Sequence, residues 1–160
     1  MHQLIVSAGP HLHVADSTRG IMLDVILALL PAGAAAVALF GWRSLLVMAV
    51  CVAAAVLSEY ISRKIMRRDT TIGDLSAVVT GLLLAYNLPV TIPLWMAALG
   101  SAISIIVVKQ LFGGLGQNFM NPALAERCFL LISFSSLMTN FECAAYSGPT
   151  PLASLKAEKG

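Results

Sequence analysis

Charge is scarce in this sequence. Lys, Arg, Asp and Glu make up 11% of the chain, against about 25% in soluble domains. A net charge of +2, with no basic run interleaved with aromatics, excludes a nucleic-acid-binding surface. Cys51, Cys128 and Cys143 form no C-x-x-C pair and no His/Cys ligand spacing, so they read as packing residues rather than zinc or iron-sulfur ligands. His2, His11 and His13 fall together in the N-terminal stretch at no ligand-like spacing, and no metal site is expected. The chain does not open with a basic stretch and a long apolar run, so its first apolar segment is expected to stay as an anchor.

What the sequence has in abundance is apolar surface. It is 58% hydrophobic with a mean hydropathy of +0.85, which marks an integral membrane protein in contact with the lipid bilayer. At about 20 residues per span the chain holds at most about five or six crossings. Five segments qualify: 21–39, 44–61, 74–88, 94–112 and 121–138. Asp16-Ser17-Thr18 can cap the first and Gly41 closes it; Pro89 ends the third, Pro93 precedes the fourth, and Asn121-Pro122 starts the fifth. The expected fold is therefore an all-α membrane protein of about five transmembrane helices. Residues 1–20 form an N-terminal segment, 21–138 the membrane domain and 139–160 a tail. Arg63, Lys64, Arg67 and Arg68 follow the second segment, with Arg19 and Lys109 on the same side and Arg43, Lys156 and Lys159 on the other. The positive-inside rule then places the N-terminus in the cytoplasm and the tail outside it, as expected for a multi-pass protein of the inner membrane.

An ionised side chain at the centre of a span costs about 2.5–3.5 kcal/mol on insertion scales and less near the interface. Asp24, Glu59, Asp74 and Glu126 all fall near the cytoplasmic ends of their segments. For the first three, helix-dipole complementation suffices, with Glu59 and Arg63 at i,i+4. Glu126 lies deeper and stays open between this reading and a functional one. The run from Gly113 through Gly114, Gly116, Asn118 and Asn121 to Pro122 is a stronger candidate. Irregular backbone at membrane depth survives only inside protein or beside a cavity, and glycines allow close approach. The amides of Asn118 and Asn121 suit the uracil-like edge of a flavin ring; a helix cap with a tight turn would explain the same residues. Beyond the last apolar segment, Ser147-Gly148-Pro149-Thr150 and Pro151-Leu152 put hydroxyls in a short polar loop where a prosthetic group could hang, although such strings also build ordinary turns.

Taken together, these strings resemble the D subunits of Rnf electron-transport complexes, relatives of the B subunit of the sodium-pumping NADH:quinone oxidoreductase. The matching stretches are Pro10-His11 with Asp16-Ser17-Thr18-Arg19, IMLDVILALLPA at 21–32, SAVVTGLLLAYNLP at 76–89, KQLFGGLGQNFMNPALAERCFLLISF at 109–134 and SGPTPLASLK at 147–156. The resemblance implies a membrane flavoprotein subunit of a translocase, inactive alone, that relays electrons in an ion-translocating ferredoxin or NADH oxidoreductase. It implies partner subunits and a flavin transferase that esterifies FMN to the last Thr of a Ser-Gly-Ala-Thr motif, which Thr150 matches, with Ser147 and Gly148 in the same loop. It also implies a non-covalent riboflavin or second flavin at the loop of Gly113, Gly114, Asn118 and Asn121. Three positions depart from the family: Pro149 replaces the usual Ala, no acid stands just upstream of the motif, where Glu142 is the nearest, and Leu75 replaces the usual Gly after Asp74. Family members are about twice as long and fold as two inverted five-helix repeats similar to urea transporters, so this chain matches the N-terminal half. The rival readings are half of a passive small-solute transporter or channel, and a structural membrane scaffold.

Overall fold

The computed structural model describes residues 17–67, 72–118, 120–139, 142–143 and 146–147. Up to Met138 every described element is helical. Helix α1 spans Thr18–Phe40 and starts where expected: the Ser17 hydroxyl accepts from Gly20 N at 3.2 Å. Pro31 lies inside it and removes one backbone donor. Helix α2 spans Trp42–Ile65 and follows after the single residue Gly41, whose φ of 78° is ordinary for glycine. At about 35 Å each, α1 and α2 are long and apolar enough to cross a membrane.

The later elements are shorter than the expected segments. A 3₁₀ turn, Ile72–Asp74, leads through Leu75 into α3, Ser76–Asn87. Leu75 holds a left-handed φ of 58°, a conformation that glycine adopts without penalty and that costs another residue about 1–2 kcal/mol. Helix α3 ends ahead of Leu88-Pro89, because Pro disfavours helical backbone in the residue before it. Helix α4, Leu94–Ile103, continues as a π-helical segment, Ser104–Gln110, closed by Leu111 N to Ile106 O at 3.1 Å. Helix α5 spans Pro122–Ser133, capped by Asn121, and breaks at Phe134 before the single turn α6, Ser135–Met138. Thus the expected segment 121–138 divides in two, and α3 and α5 each run only about 18 Å. After α6, in the expected tail, β1 (Glu142–Cys143) and β2 (Tyr146–Ser147) form a two-residue antiparallel ladder.

Helix α2 is the hub. Its buried residues, Ser44, Val47, Met48, Cys51, Ala55, Ser58, Glu59, Ser62 and Arg63, recur at helical spacing and face α3, α4 and the π segment. They are mostly small, which lets the helices approach closely, as membrane interfaces require. Leu84, Ile92, Met96, Ala97 and Leu130 fill the core around them. Trp95 and Phe134 close its far end with an edge-to-face contact, centroids 6.0 Å apart. Arg43 binds the turn after α3, donating to Val90 O at 2.9 Å. Helix α1 buries only Gly33, against Tyr86, whose hydroxyl donates to Leu29 O at 2.9 Å. Cys51 packs in the core as expected, whereas Cys128 is exposed.

Candidate functional site

The four acids of the helical segments separate by environment. Asp24 is exposed and Asp74 half-buried, but Glu59 and Glu126 are buried. Glu59 projects from the last turns of α2 into a polar cluster that the dipole reading does not anticipate. Lys109 Nζ donates to Glu59 Oε1 at 2.9 Å and to Ser76 Oγ at 2.7 Å, and Gln110 Nε2 donates to Glu59 Oε1 at 3.1 Å. The Lys109 and Glu59 side chains are 2% and 1% exposed. Sequence spacing suggests only Arg63 as partner for Glu59, since Lys109 lies fifty residues on. The π segment is what makes the cluster possible: its wider turn places consecutive residues at a smaller angle, so Lys109 and Gln110 both face inward. One signal in the sequence points this way, a Lys-Gln pair following 34 uncharged residues from 75 to 108.

The glycine-rich loop begins where the π segment ends. Gly113, Gly114 and Gly116 have φ of 112°, 104° and 85°, values that L side chains rarely adopt. Gly114 N donates to Lys109 O at 3.0 Å, which ties the loop to the ion pair. The three glycines differ in what fills the space of the missing side chain. A Cβ on Gly113 would meet the Gln117 side chain, and one on Gly114 would meet the buried Arg63 guanidinium at 2.7 Å. Only Gly116 opens onto free space. Gly113 and Gly114 therefore allow the loop to pack on its own protein, and Gly116 is the position where a ligand could approach the backbone. Leu111, Leu115 and Met120, within five residues of it in sequence, are exposed, apolar surface suited to a ring face.

Both asparagines have local partners. Asn118 Nδ2 donates to Met120 O at 3.0 Å, and Asn121 Oδ1 accepts from Ala123 N at 3.0 Å as the N-cap of α5. The cap and turn thus exist, and the exposed Asn121 keeps its amide nitrogen outside the cap. Gly148 and Thr150 lie outside the described residues, as do the three histidines. Ser147 pairs through its backbone with Glu142, so the ladder brings the nearest upstream acid opposite the first residue of the tetrapeptide. No group of three or more His, Cys, Asp or Glu side chains that could hold a metal occurs among the described residues.

The NQR2, RnfD, RnfE family model matches residues 5–160. The chain belongs to that family. The D subunit of the Na(+)-translocating ferredoxin:NAD(+) oxidoreductase complex of Acetobacterium woodii is 48% identical over 96% of the chain and 50% of its own length. The D subunit of the proton-translocating ferredoxin:NAD(+) oxidoreductase complex of Clostridium ljungdahlii is 41% identical over 96% of the chain and 48% of its own. That of an ion-translocating oxidoreductase complex of Shewanella piezotolerans is 38% identical over 92% and 43%. The chain spans about half the length of the curated relatives it matches. In this member of the NQR2, RnfD, RnfE family, the stretch that carries the resemblance at 109–134 is the one that holds Lys109, the glycine loop and the α5 cap.

Proposed function

We propose that this chain forms part of a membrane flavoprotein subunit that relays electrons in an ion-translocating ferredoxin or NADH oxidoreductase complex. The observation that carries the reading is identity of 41–48% over 96% of the chain to two subunits named for that activity. The chain would supply one repeat of a urea-transporter-like inverted pair, with five segments in the bilayer of the inner membrane and partner subunits around it. Its lipid-length helix α1, in which Gly33 alone is buried, supports such packing. In the charge count, Arg63 and Lys109 drop out because both are buried. Arg19, Lys64, Arg67 and Arg68 remain against Arg43, Lys156 and Lys159, which still favours a cytoplasmic N-terminus and a Thr150 loop on the other side.

Bound flavin would supply the electron transfer, and the protein its position and electrostatics. Thr150 is the assigned attachment point for FMN. The loop around Gly116, with the amides of Asn118 and Asn121, is assigned to a non-covalent flavin. The test uses the chain produced with a flavin transferase: the denatured protein is expected to fluoresce in a gel, Thr150→Ala to be dark and Ser147→Ala to stay bright. A fluorescent Thr150→Ala refutes the attachment site; a dark wild type that brightens with Pro149→Ala assigns the block to proline.

A second expectation concerns the loop. Losing the Asn121 cap costs about 1 kcal/mol, so Asn121→Ser, which keeps a capping oxygen, separates cap from ligand. Combined with Asn118→Leu, it is expected to lower non-covalent flavin content severalfold with little change in melting temperature. Retained flavin alongside a lower melting temperature assigns both residues to the turn alone.

A further inference from the structure

Glu126 has no role in the site described above, yet it is the most anomalous group in the fold. It sits in the second turn of α5 and is 1% exposed. Neither carboxylate oxygen has a hydrogen-bond partner among the described residues. The side chain lies on α4 at Gly100, where an added Cβ would come 3.0 Å from Oε1 and 3.1 Å from a Leu130 methyl. Gly100 thus makes the room that the carboxyl occupies. Among the described residues no charged side chain pairs with it. Of the titratable groups on the elements packed against α5, Tyr86 in α3 donates to Leu29 O and Lys109 in the π segment is held by Glu59 and Ser76; α4 and α6 have none. On α5 itself, Arg127 turns away to Asn87 Oδ1 at 2.8 Å and Cys128 is exposed.

A bare carboxylate in such a place is costly enough that the neutral acid takes its place. A metal or alkali cation would need several oxygens around it, whereas neither oxygen of Glu126 has a hydrogen-bond partner among the described residues and its contacts at Gly100 include a Leu130 methyl. Because the side chain is already enclosed, a second repeat docking on the outside of this chain would not reach it. We propose that Glu126 is a proton-binding site buried between α4 and α5, whose proton exchanges only when those helices part. The inference rests on the membrane placement in the proposed function and not on the flavin.

The test is carbodiimide labelling of the full chain in native membranes, with its complex where that is present. In dicyclohexylcarbodiimide modification the carboxylic acid adds across a C=N bond. Its proton passes to nitrogen, a C–O bond forms, and the acyl group then migrates to nitrogen to leave a stable acylurea with no leaving group. Peptide mass mapping is expected to place the adduct on Glu126, with yield falling as pH rises and unchanged when sodium chloride replaces choline chloride. Glu126→Gln is expected to lose the adduct. An infrared carbonyl band of a neutral carboxylic acid, missing in Glu126→Gln, supports the same assignment where the reagent fails to enter. The absence of both adduct and band overturns the proposal, and suppression of the adduct by sodium overturns it in favour of a cation site. If the variant does not accumulate, the mapped adduct and the pH-dependent band of the wild type decide alone. Thr150→Ala, dark or bright, is expected to label like the wild type, so this result and the flavin result fail independently.

Discussion

Lys109→Met is expected to destabilise the fold by about 3–5 kcal/mol, the range found when one partner of a buried ion pair is removed. The Lys109 ammonium neutralises Glu59 at 2.9 Å and also holds Ser76 at the start of α3, so one side chain joins α2, α3 and the π segment. Without it the Glu59 carboxylate keeps its burial and loses the ammonium at 2.9 Å. Gln110 still donates to it, but a neutral amide does not replace that ammonium. The double variant Glu59→Met with Lys109→Met separates this cause from a loss of packing. Replacing both members of such a pair with apolar side chains of similar volume is often neutral or stabilising, while the stranded Gln110 amide costs about 1–3 kcal/mol. The double variant is therefore expected to melt well above Lys109→Met, followed by tryptophan fluorescence in detergent. Equal melting temperatures for single and double variants would show that the stem of Lys109, not its charge, carries the stability. Flavin content in the double variant then tells whether the cluster also supports the glycine loop, to which Lys109 O is bonded through Gly114 N.

The same cluster shows where sequence reading ran out. The helix starts at Ser17 and Asn121, the stop at Pro89 and the membrane class were legible because each depends on residues close in sequence: a capping oxygen, a missing N–H, a run of apolar side chains. The Glu59–Lys109 pair was not, because it joins two helices and depends on a π turn that no local pattern announces. Hydropathy also made segment 121–138 one span, since the serines flanking Phe134 lie within an otherwise apolar run; the backbone of Phe134, φ −137°, reveals the break. The glycine loop lay between these extremes. Its glycines marked the irregular backbone correctly, but which glycine faces empty space depended on Gln117 and Arg63, contacts that sequence order does not specify. Leu75 gives the converse case: departure from the family's glycine was visible in the sequence, and its meaning, a left-handed residue held at a cost, needed the structure.

Gly81 tests whether close helix approach, rather than bulk hydrophobicity, holds α2 and α3 together. In an isolated helix Gly→Ala gains roughly 0.5–1 kcal/mol, because alanine has less backbone freedom to lose. Here the added methyl would meet Val52 Cα at 2.8 Å, Cys51 O at 3.0 Å and Val52 N at 3.1 Å, all backbone atoms of α2. Backbone cannot rotate aside as a side chain can, so the two helices must separate. Overpacking of this kind costs about 1–3 kcal/mol, which exceeds the propensity gain. Gly81→Ala is thus expected to lower the melting temperature, and Gly81→Leu to lower it further or prevent accumulation. Val52→Ala is expected not to rescue Gly81→Ala, since truncating that side chain leaves Val52 Cα and the Cys51 carbonyl in place. Gly73→Ala is the matched control: no atom lies within 4 Å of its Cβ position and its φ is not in the left-handed range. A stable Gly81→Ala, or a full rescue by Val52→Ala, would mean that the interface between α2 and α3 is looser than these contacts require. Helix separation would reach further than this interface, because α2 also carries Glu59 and α3 carries Ser76, the two acceptors of Lys109. A loss of stability larger than about 3 kcal/mol in Gly81→Ala would therefore exceed overpacking alone and point to loss of the ion pair as well. The Glu59→Met, Lys109→Met background, in which no pair remains to be broken, is expected to bring that cost back into the overpacking range.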